Sequence, residues 1–463
     1  MEIGPFDYFE TVLNSLFALC MKNYVMTILR LLRNHCERVL LYGIALWLKP
    51  CTGDKCALNK RLRLGCNQWR KQFWLAYKAD FYFKFHYLWF LAECGIFRHR
   101  VSDNMHEPLP IREGRMLIWM PAHIGDLILA QPVINRILEA IPSATIDLLV
   151  SDLNKNLATY LFPTRNIYTL TPPLYIFRRR FGGFFMGEKD KQLLQSLSKR
   201  KYNTVIATMC GPFGVVLREW LHPRYWVGPD PELVGYGNGI MMIKPKERHR
   251  EQAEYIRLKS YLECLGIKEA YQTSRPIKVT EALMQSVASK FGTQVDFTSQ
   301  IIAIAPGASW PGKMWPTAKY KELCCQLQSC FGGCIVLLGS PEEVTVCQKV
   351  RNESDRIINL AGQLTLPECL AALKQVALFI GNDSGLMHMA AGVGTPTISL
   401  WGATNHKEWG SEKRGGIHIK IISLKSMVCA EPWKRSEYLE SGGNCMDAIS
   451  VLEVLAAATR LLA

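Results

Sequence analysis

From Met116 onward, short apolar runs alternate with helical stretches. Met116 to Met120 reads as a buried strand, followed by a helix over Leu127 to Ala140 and a strand over Thr145 to Val150. A further strand over Thr204 to Thr208 precedes a long connecting helix, Glu251 to Leu265, which stops at Gly266. The alternation then starts again. Strands are expected at Ile301 to Ala305, Cys334 to Leu338, Val376 to Ile380 and Thr397 to Leu400. Helices are expected at Ala318 to Gln328, Leu386 to Gly392 and Val451 to Leu462, the last packing back across the molecule. Strands separated by helices imply parallel, doubly wound sheets. Two such runs imply two Rossmann-like halves facing a cleft, with ligands at the carboxyl ends of the strands.

The first 106 residues follow a different rule. Phe9, Val12, Leu13, Leu16 and Phe17 recur at three- and four-residue steps, a helical period. Between Trp69 and Phe90, Arg70, Lys71, Lys78 and Lys84 are interleaved with Phe73, Trp74, Tyr77, Phe81, Phe85 and Trp89. The segment holds 19 of the 48 aromatic residues, so it is either a helical domain with an aromatic core or an interfacial platform. The expected division is a helical, basic and aromatic extension over 1–106, a first α/β domain over 107–275 and a second over 276–463. A Pro-bearing linker, Glu107 to Pro110, marks the first boundary.

Composition narrows the choice of partner. Lys and Arg number 55 against 40 Asp and Glu, net +15, and residues 1–100 alone contribute 15 against 7, net +8. Such a surplus suits an anionic partner: nucleic acid, a membrane surface or a phosphorylated substrate. No nucleic-acid-binding module is recognisable, which disfavours the first. The most apolar early stretch, Thr11 to Leu32, is broken by Asn14, Lys22, Asn23 and Arg30, too soon for a span of about 18 residues. The 16 cysteines are scattered along a long chain, so reduced thiols in a cytoplasmic protein are expected. Cys51, Cys56 and Cys66 are too loosely spaced for a closed four-ligand metal site.

Four motifs carry the chemistry. They are Ile124-Gly125-Asp126 with Pro132; Pro306-Gly307-Ala308 with Lys313-Met314-Trp315-Pro316; Asn359-Leu360-Ala361-Gly362; and Gly381-Asn382-Asp383-Ser384-Gly385-Leu386-Met387-His388-Met389-Ala390-Ala391. In order and spacing they resemble the glycosyltransferase family 9 heptosyltransferases over about Met116 to Val454. The resemblance implies a GT-B-type α/β fold and an inverting transfer of heptose from an ADP-activated donor to the lipopolysaccharide inner core. It implies no cofactor and says nothing of residues 1–106.

The residue types suit that chemistry independently. Asp383-Ser384-Gly385 before a helix offers backbone N–H groups and the positive end of a helix dipole to a diphosphate. Gly385 allows close approach, Ser384 adds a hydroxyl, and Asp383 is either a helix cap or a contact to the donor sugar. His388, one turn on, either joins the donor site or packs against a strand. Lys313 is either a solvated surface lysine or, as the resemblance implies, a phosphate contact that would neutralise charge on the departing diphosphate, with Ser309 assisting. In Gly339-Ser340-Pro341-Glu342-Glu343, Glu343 either holds the ribose or simply begins a helix. Asp126 is either a helix N-cap or the base that takes the acceptor's proton; the resemblance favours the base. Arg178, Arg179 and Arg180, set among Phe177, Phe181, Phe184 and Phe185, form either a solvated loop or a clamp for an anionic glycolipid acceptor.

Near the C-terminus, where family members often carry several cysteines, Cys429 and Cys445 remain, too few for a metal. No metal is expected. Residues 1–106 would dock the enzyme on the anionic inner face of the inner membrane. Two other readings stay open: a protein O-heptosyltransferase acting on an autotransporter, and a non-catalytic nucleotide-sugar-binding scaffold.

Overall fold

The computed structural model describes residues 104–105, 114–120, 123–171, 188–208, 212–228, 241–243, 254–267, 275–292, 295, 300–351, 355–402, 404–410, 416–423 and 445–463. All belong to one compact unit, Phe83–Ala463. The remainder of the N-terminal segment and the Arg178–Arg180 loop lie outside the described residues.

Two parallel sheets organise this unit. The first contains β1 (Asn104–Met105), β2 (Arg115–Met120), β3 (Thr145–Ser151), β4 (Ile167–Leu170), β5 (Thr204–Ala207), β6 (Tyr225–Val227) and β7 (Met241–Ile243), in spatial order β1-β7-β6-β5-β2-β3-β4. The second contains β8 (Ile301–Ala305), β9 (Cys334–Leu337), β10 (Ile357–Asn359), β11 (Leu378–Asn382), β12 (Thr397–Trp401) and β13 (His418–Ile422), in order β10-β9-β8-β11-β12-β13. Burial on both faces explains why β8 and β11 carry no exposed residue along their length.

Both sheets reverse direction at their centre. Successive strands run outward from β2 through β3 to β4, and outward the other way from β5 through β6 to β7. The second sheet does the same from β8 and from β11. Such a reversal opens a crevice at the carboxyl ends of the two central strands, the usual ligand position in an open α/β sheet. The turn after β2 carries His123 to Asp126, and the turns after β8 and β11 carry Pro306-Gly307 and Asp383-Ser384.

In chain order the described α-helices are α1 (Ile124–Ala140), α2 (Lys155–Leu161), α3 (Glu188–Ser198), α4 (Pro212–Leu221), α5 (Glu254–Cys264), α6 (Glu281–Phe291), α7 (Thr317–Phe331), α8 (Val344–Val350), α9 (Leu366–Lys374), α10 (Gly385–Val393), α11 (His406–Trp409) and α12 (Val451–Leu462). One continuous core joins the halves: Ile128, Val133 and Ile134 of α1 share it with Leu370 and Leu373 of α9 and with Met387, Ala390 and Val393 of α10. At Gly392 of α10 a Cβ would lie 3.0 Å from Ile277 and 3.2 Å from Ile128, so the glycine allows this close approach. Separate cores fill the outer faces. Trp119 and Trp226 sit under α3 and α4, and Trp315 and Tyr320 lie under the α7 and α12 side.

Three expectations change. α1 begins at Ile124, three residues earlier than the apolar pattern suggested, because the chain after His123 is already helical. α12 does not cross back. Its apolar face, Val451, Val454, Ala457 and Ala458, packs on the second sheet's own core, and Ser450 and Glu453 cap it there. The thiols are not uniformly free either, since Cys445 is disulfide-bonded. Burial pushes the free thiols of Cys324, Cys347 and Cys369 up to about 12, so these are core groups and not nucleophiles.

Candidate functional site

The donor-side turns are tied together by one buried amide. Asn382, the last residue of β11, is fully buried. Its Nδ2 donates to the carbonyls of Pro306 at 2.9 Å and Gly307 at 3.2 Å. Its Oδ1 accepts from the Trp315 backbone N–H at 3.1 Å and the Tyr320 hydroxyl at 3.0 Å. One side chain thereby fixes the turn after β8, the start of α7 and the end of β11. Trp315 is further held by its indole N–H, which donates to the Ile449 carbonyl at 3.1 Å. The one-turn helix Pro311–Lys313 precedes this anchor, so Lys313 leaves a braced element and not a loose loop.

Lys313 reaches Asp383. Its Nζ donates to Asp383 Oδ2 at 2.8 Å, and the Thr404 hydroxyl donates to the same oxygen at 2.7 Å. On the other side, His388 Nε2 stands 3.8 Å from Asp383 Oδ1. Asp383 is 5% exposed. Burial alone would raise its carboxyl; the His388 imidazole and the Lys313 ammonium outweigh that and hold it well below the usual carboxylate range. Asp383 is therefore a fixed anion. Of the two alternatives for Asp383 the cap does not hold: the N-cap of α10 is Ser384, whose Oγ is buried and has no hydrogen-bond partner.

The first half closes on this group from above α10. A Cβ on Gly125 would lie 2.6 Å from His388 Cδ2, and one on Gly385 would lie 3.0 Å from the Ile124 Cβ. The N-termini of α1 and α10 thus meet through two glycines, and the His388 ring lies against Gly125 of the first half. Asp126 is the third residue of α1, not its N-cap, and its Oδ2 accepts from the His123 backbone N–H at 2.9 Å. The residue is partly exposed.

Glu343 ends the one-turn helix Pro341–Glu343 that follows β9. It accepts from the Ser340 backbone N–H at 2.8 Å, and its carboxylate occupies the space where a Cβ on Gly307 would stand. It both begins a helix and touches the turn after β8. Ser309 is exposed in that turn. The structure therefore gathers Lys313, Asp383, Ser384, Gly385 and His388 into one cluster with the α1 N-terminus, and places Glu343 against the adjoining turn. Among the described residues no group of three or more His, Cys, Asp or Glu could hold a metal ion. The same residues contain no helix long and apolar enough to cross a membrane.

Two contributors escaped the sequence reading. Asn382 shows only as a polar residue ending an apolar run, which is the available signal for a buried knot. Thr404 gives none beyond its place in a turn after a strand. Chemically, a lysine, an unpartnered hydroxyl and a helix N-terminus lie together, where they complement a polyanion. The Asp383 carboxylate lies beside them, bonded to that lysine.

The sequence profile described as glycosyltransferase family 9 (heptosyltransferase) matches residues 234–436. The chain is 24% identical to lipooligosaccharide heptosyltransferase 2 of Haemophilus influenzae over 349 residues, 68% of this chain and 97% of that protein. It is 28% identical to lipopolysaccharide heptosyltransferase 3 of Escherichia coli K12 over 296 residues, 62% of this chain and 81% of that one. Among solved structures, a family 9 glycosyltransferase of Veillonella parvula superposes with a TM-score of 0.64 at 19% identity, covering 77% of this chain and all but 1% of its own (99%). An E. coli heptosyltransferase solved with ADP gives a TM-score of 0.53 at 16% identity, covering 71% and 100%. The two-sheet GT-B architecture is common to these structures.

Proposed function

The chain belongs to glycosyltransferase family 9, and we propose that it moves heptose, with inversion, from ADP-heptose to a lipopolysaccharide inner-core acceptor. The observation that carries this reading is the Lys313–Asp383 pair at 2.8 Å, lying beside the α10 N-terminus and reached by the Asp126-bearing end of α1. The half over about 107–275 takes the acceptor and the half over 276–463 takes the donor.

The adenosine ribose hydroxyls are accepted by Glu343. The diphosphate lies on the backbone N–H groups that open α10, with the Ser384 hydroxyl and the Lys313 ammonium completing its contacts and Ser309 nearby. Lys313 carries three N–H donors, so before transfer it can bond both Asp383 and phosphate, and it follows the charge as the diphosphate departs. Asp383, steadied by His388, accepts from hydroxyls of the sugar. Asp126 removes the acceptor hydroxyl proton as that oxygen bonds to the anomeric carbon, and the carbon–oxygen bond to the diphosphate breaks on the opposite face. The pair of electrons in that bond leaves with ADP, where Lys313 and the helix dipole offset the developing charge. Arg178, Arg179 and Arg180 would grip anionic groups of the acceptor.

The test is mass analysis of products after incubation with ADP-heptose and truncated core oligosaccharides. Gain of one heptose on a defined core acceptor is the expected result. Gain on a serine-bearing protein instead would transfer the assignment to protein glycosylation, and no product on either would remove the transferase reading.

A further inference from the structure

We propose that Thr404 is a positioning residue for catalysis, holding the Asp383 carboxylate in place on the donor sugar while the diphosphate draws Lys313 away. The inference rests on the reading of this cluster as an ADP-sugar site. Its basis is a shared oxygen: Thr404 Oγ1 and Lys313 Nζ both donate to Asp383 Oδ2, at 2.7 and 2.8 Å. Lys313 is the side chain that a departing diphosphate attracts. When its bond to Asp383 lengthens, a carboxylate that is only 5% exposed loses its main cationic partner. A buried anion left short of donors either turns or costs free energy. His388 cannot replace the lost bond in place, because it faces the other oxygen at 3.8 Å.

Thr404 is equipped for the task because its backbone is held on both sides. Before it, Gly402 packs tightly on Met446 and Cys445. After it, the Asn405 side chain accepts from the Lys407 backbone N–H at 3.0 Å and caps α11. The hydroxyl therefore stays where it is when Lys313 moves. Threonine suits this role because its hydroxyl is neutral and is not pulled by the diphosphate's charge as the Lys313 ammonium is.

The variants Thr404→Val, which keeps the shape and removes the hydroxyl, and Thr404→Ser, which restores it, separate this role from a structural one. Calorimetry with ADP and with ADP-heptose is run alongside steady-state kinetics and thermal unfolding. Thr404→Val is expected to leave ADP affinity within about twofold and to lower kcat with ADP-heptose by roughly tenfold or more, the scale of one lost hydrogen bond to a charged group. Thr404→Ser is expected to recover most of that rate. Unchanged kcat and donor affinity in Thr404→Val would overturn the proposal. So would a parallel fall in ADP affinity and unfolding temperature without rescue by serine, which marks a structural role. If the wild-type chain binds neither ADP nor ADP-heptose, the donor-site reading itself fails, and the role of Thr404 fails with it.

Discussion

At the scale of single residues, charge and its fixation decide what each group does. Asp383 is held ionised by neighbours that outweigh its burial, so it serves as a permanent acceptor and not as a proton carrier. Asp126 accepts from the His123 backbone N–H at the start of α1. Asp126→Asn preserves size and removes basicity; turnover should fall by about two to four powers of ten, the usual span for loss of a general base, with ADP affinity near normal. Near-wild-type turnover would take Asp126 out of the mechanism. Lys313→Ala and Ser384→Ala test the other side. Each should weaken ADP binding in calorimetry, Lys313→Ala the more strongly because it deletes a charge. Unchanged affinity in both would mean that the diphosphate rests on backbone groups alone or lies elsewhere. Of these residues, Asp126, Lys313, Asp383 and Ser384 were legible in the sequence because each sits in a motif at the end of an apolar run. Thr404 and Asn382 were not, since their roles depend on partners 21 and 62 to 76 residues away.

At the scale of elements, the site exists because two helices begin at the same place. α1 follows β2 and α10 follows β11, both central strands at the reversal point of their sheets, and their first turns touch through Gly125 and Gly385. Gly125→Ala puts a methyl group against the His388 ring, which Asp383 and the packed core restrain. The expected cost is about 1–3 kcal/mol, as for other overpacked sites, read as a lower denaturant midpoint with an unchanged slope. In a His388→Ala background the same substitution should cost much less, a coupling that a double-mutant cycle measures directly. Additive effects would mean that the two residues do not meet. The strands β8 and β12 and the helix α12 were legible nearly to the residue, because long apolar runs and a Ser450–Glu453 capping pair define them. The short strands β4, β6, β7 and β10 were not. Their three or four residues make no period of their own, and they exist through pairing with neighbours already in place. The start of α1 was misplaced for a related reason: His123, Gly125 and Asp126 are poor helix formers, and reciprocal capping and contact with α10 outweigh their propensity.

At the scale of the whole molecule, the proposed acceptor is lipid-anchored, and the question is how the chain would meet it. Residues 1–100 carry net +8 and 19 aromatic side chains lie within the first 106 residues, and all but Asn104 and Met105 of those 106 lie outside the described residues. Those two form β1, which pairs in parallel with β7 at the edge of the first sheet. The described end of the segment thus joins the first sheet, and the docking role rests on charge and aromatic content. Each basic residue near an anionic leaflet contributes about 1 kcal/mol, screened by salt, so several together hold a protein reversibly. Aromatic side chains add to this only if they reach the headgroup region and are not buried in a core. Flotation with anionic and neutral vesicles distinguishes the two. Docking predicts that the full chain floats with anionic vesicles at low salt, is released at high salt, and does not float with neutral ones. A chain lacking residues 1–103, which keeps β1, should stay in the soluble fraction. So should one in which Arg70, Lys71, Lys78 and Lys84 are all replaced by Glu, and this second variant retains the aromatic residues whether or not they form a core. A full-length chain that stays in solution at low salt, or a truncated chain that floats equally well, shows that these cations face water and that the acceptor is met by the two α/β halves alone.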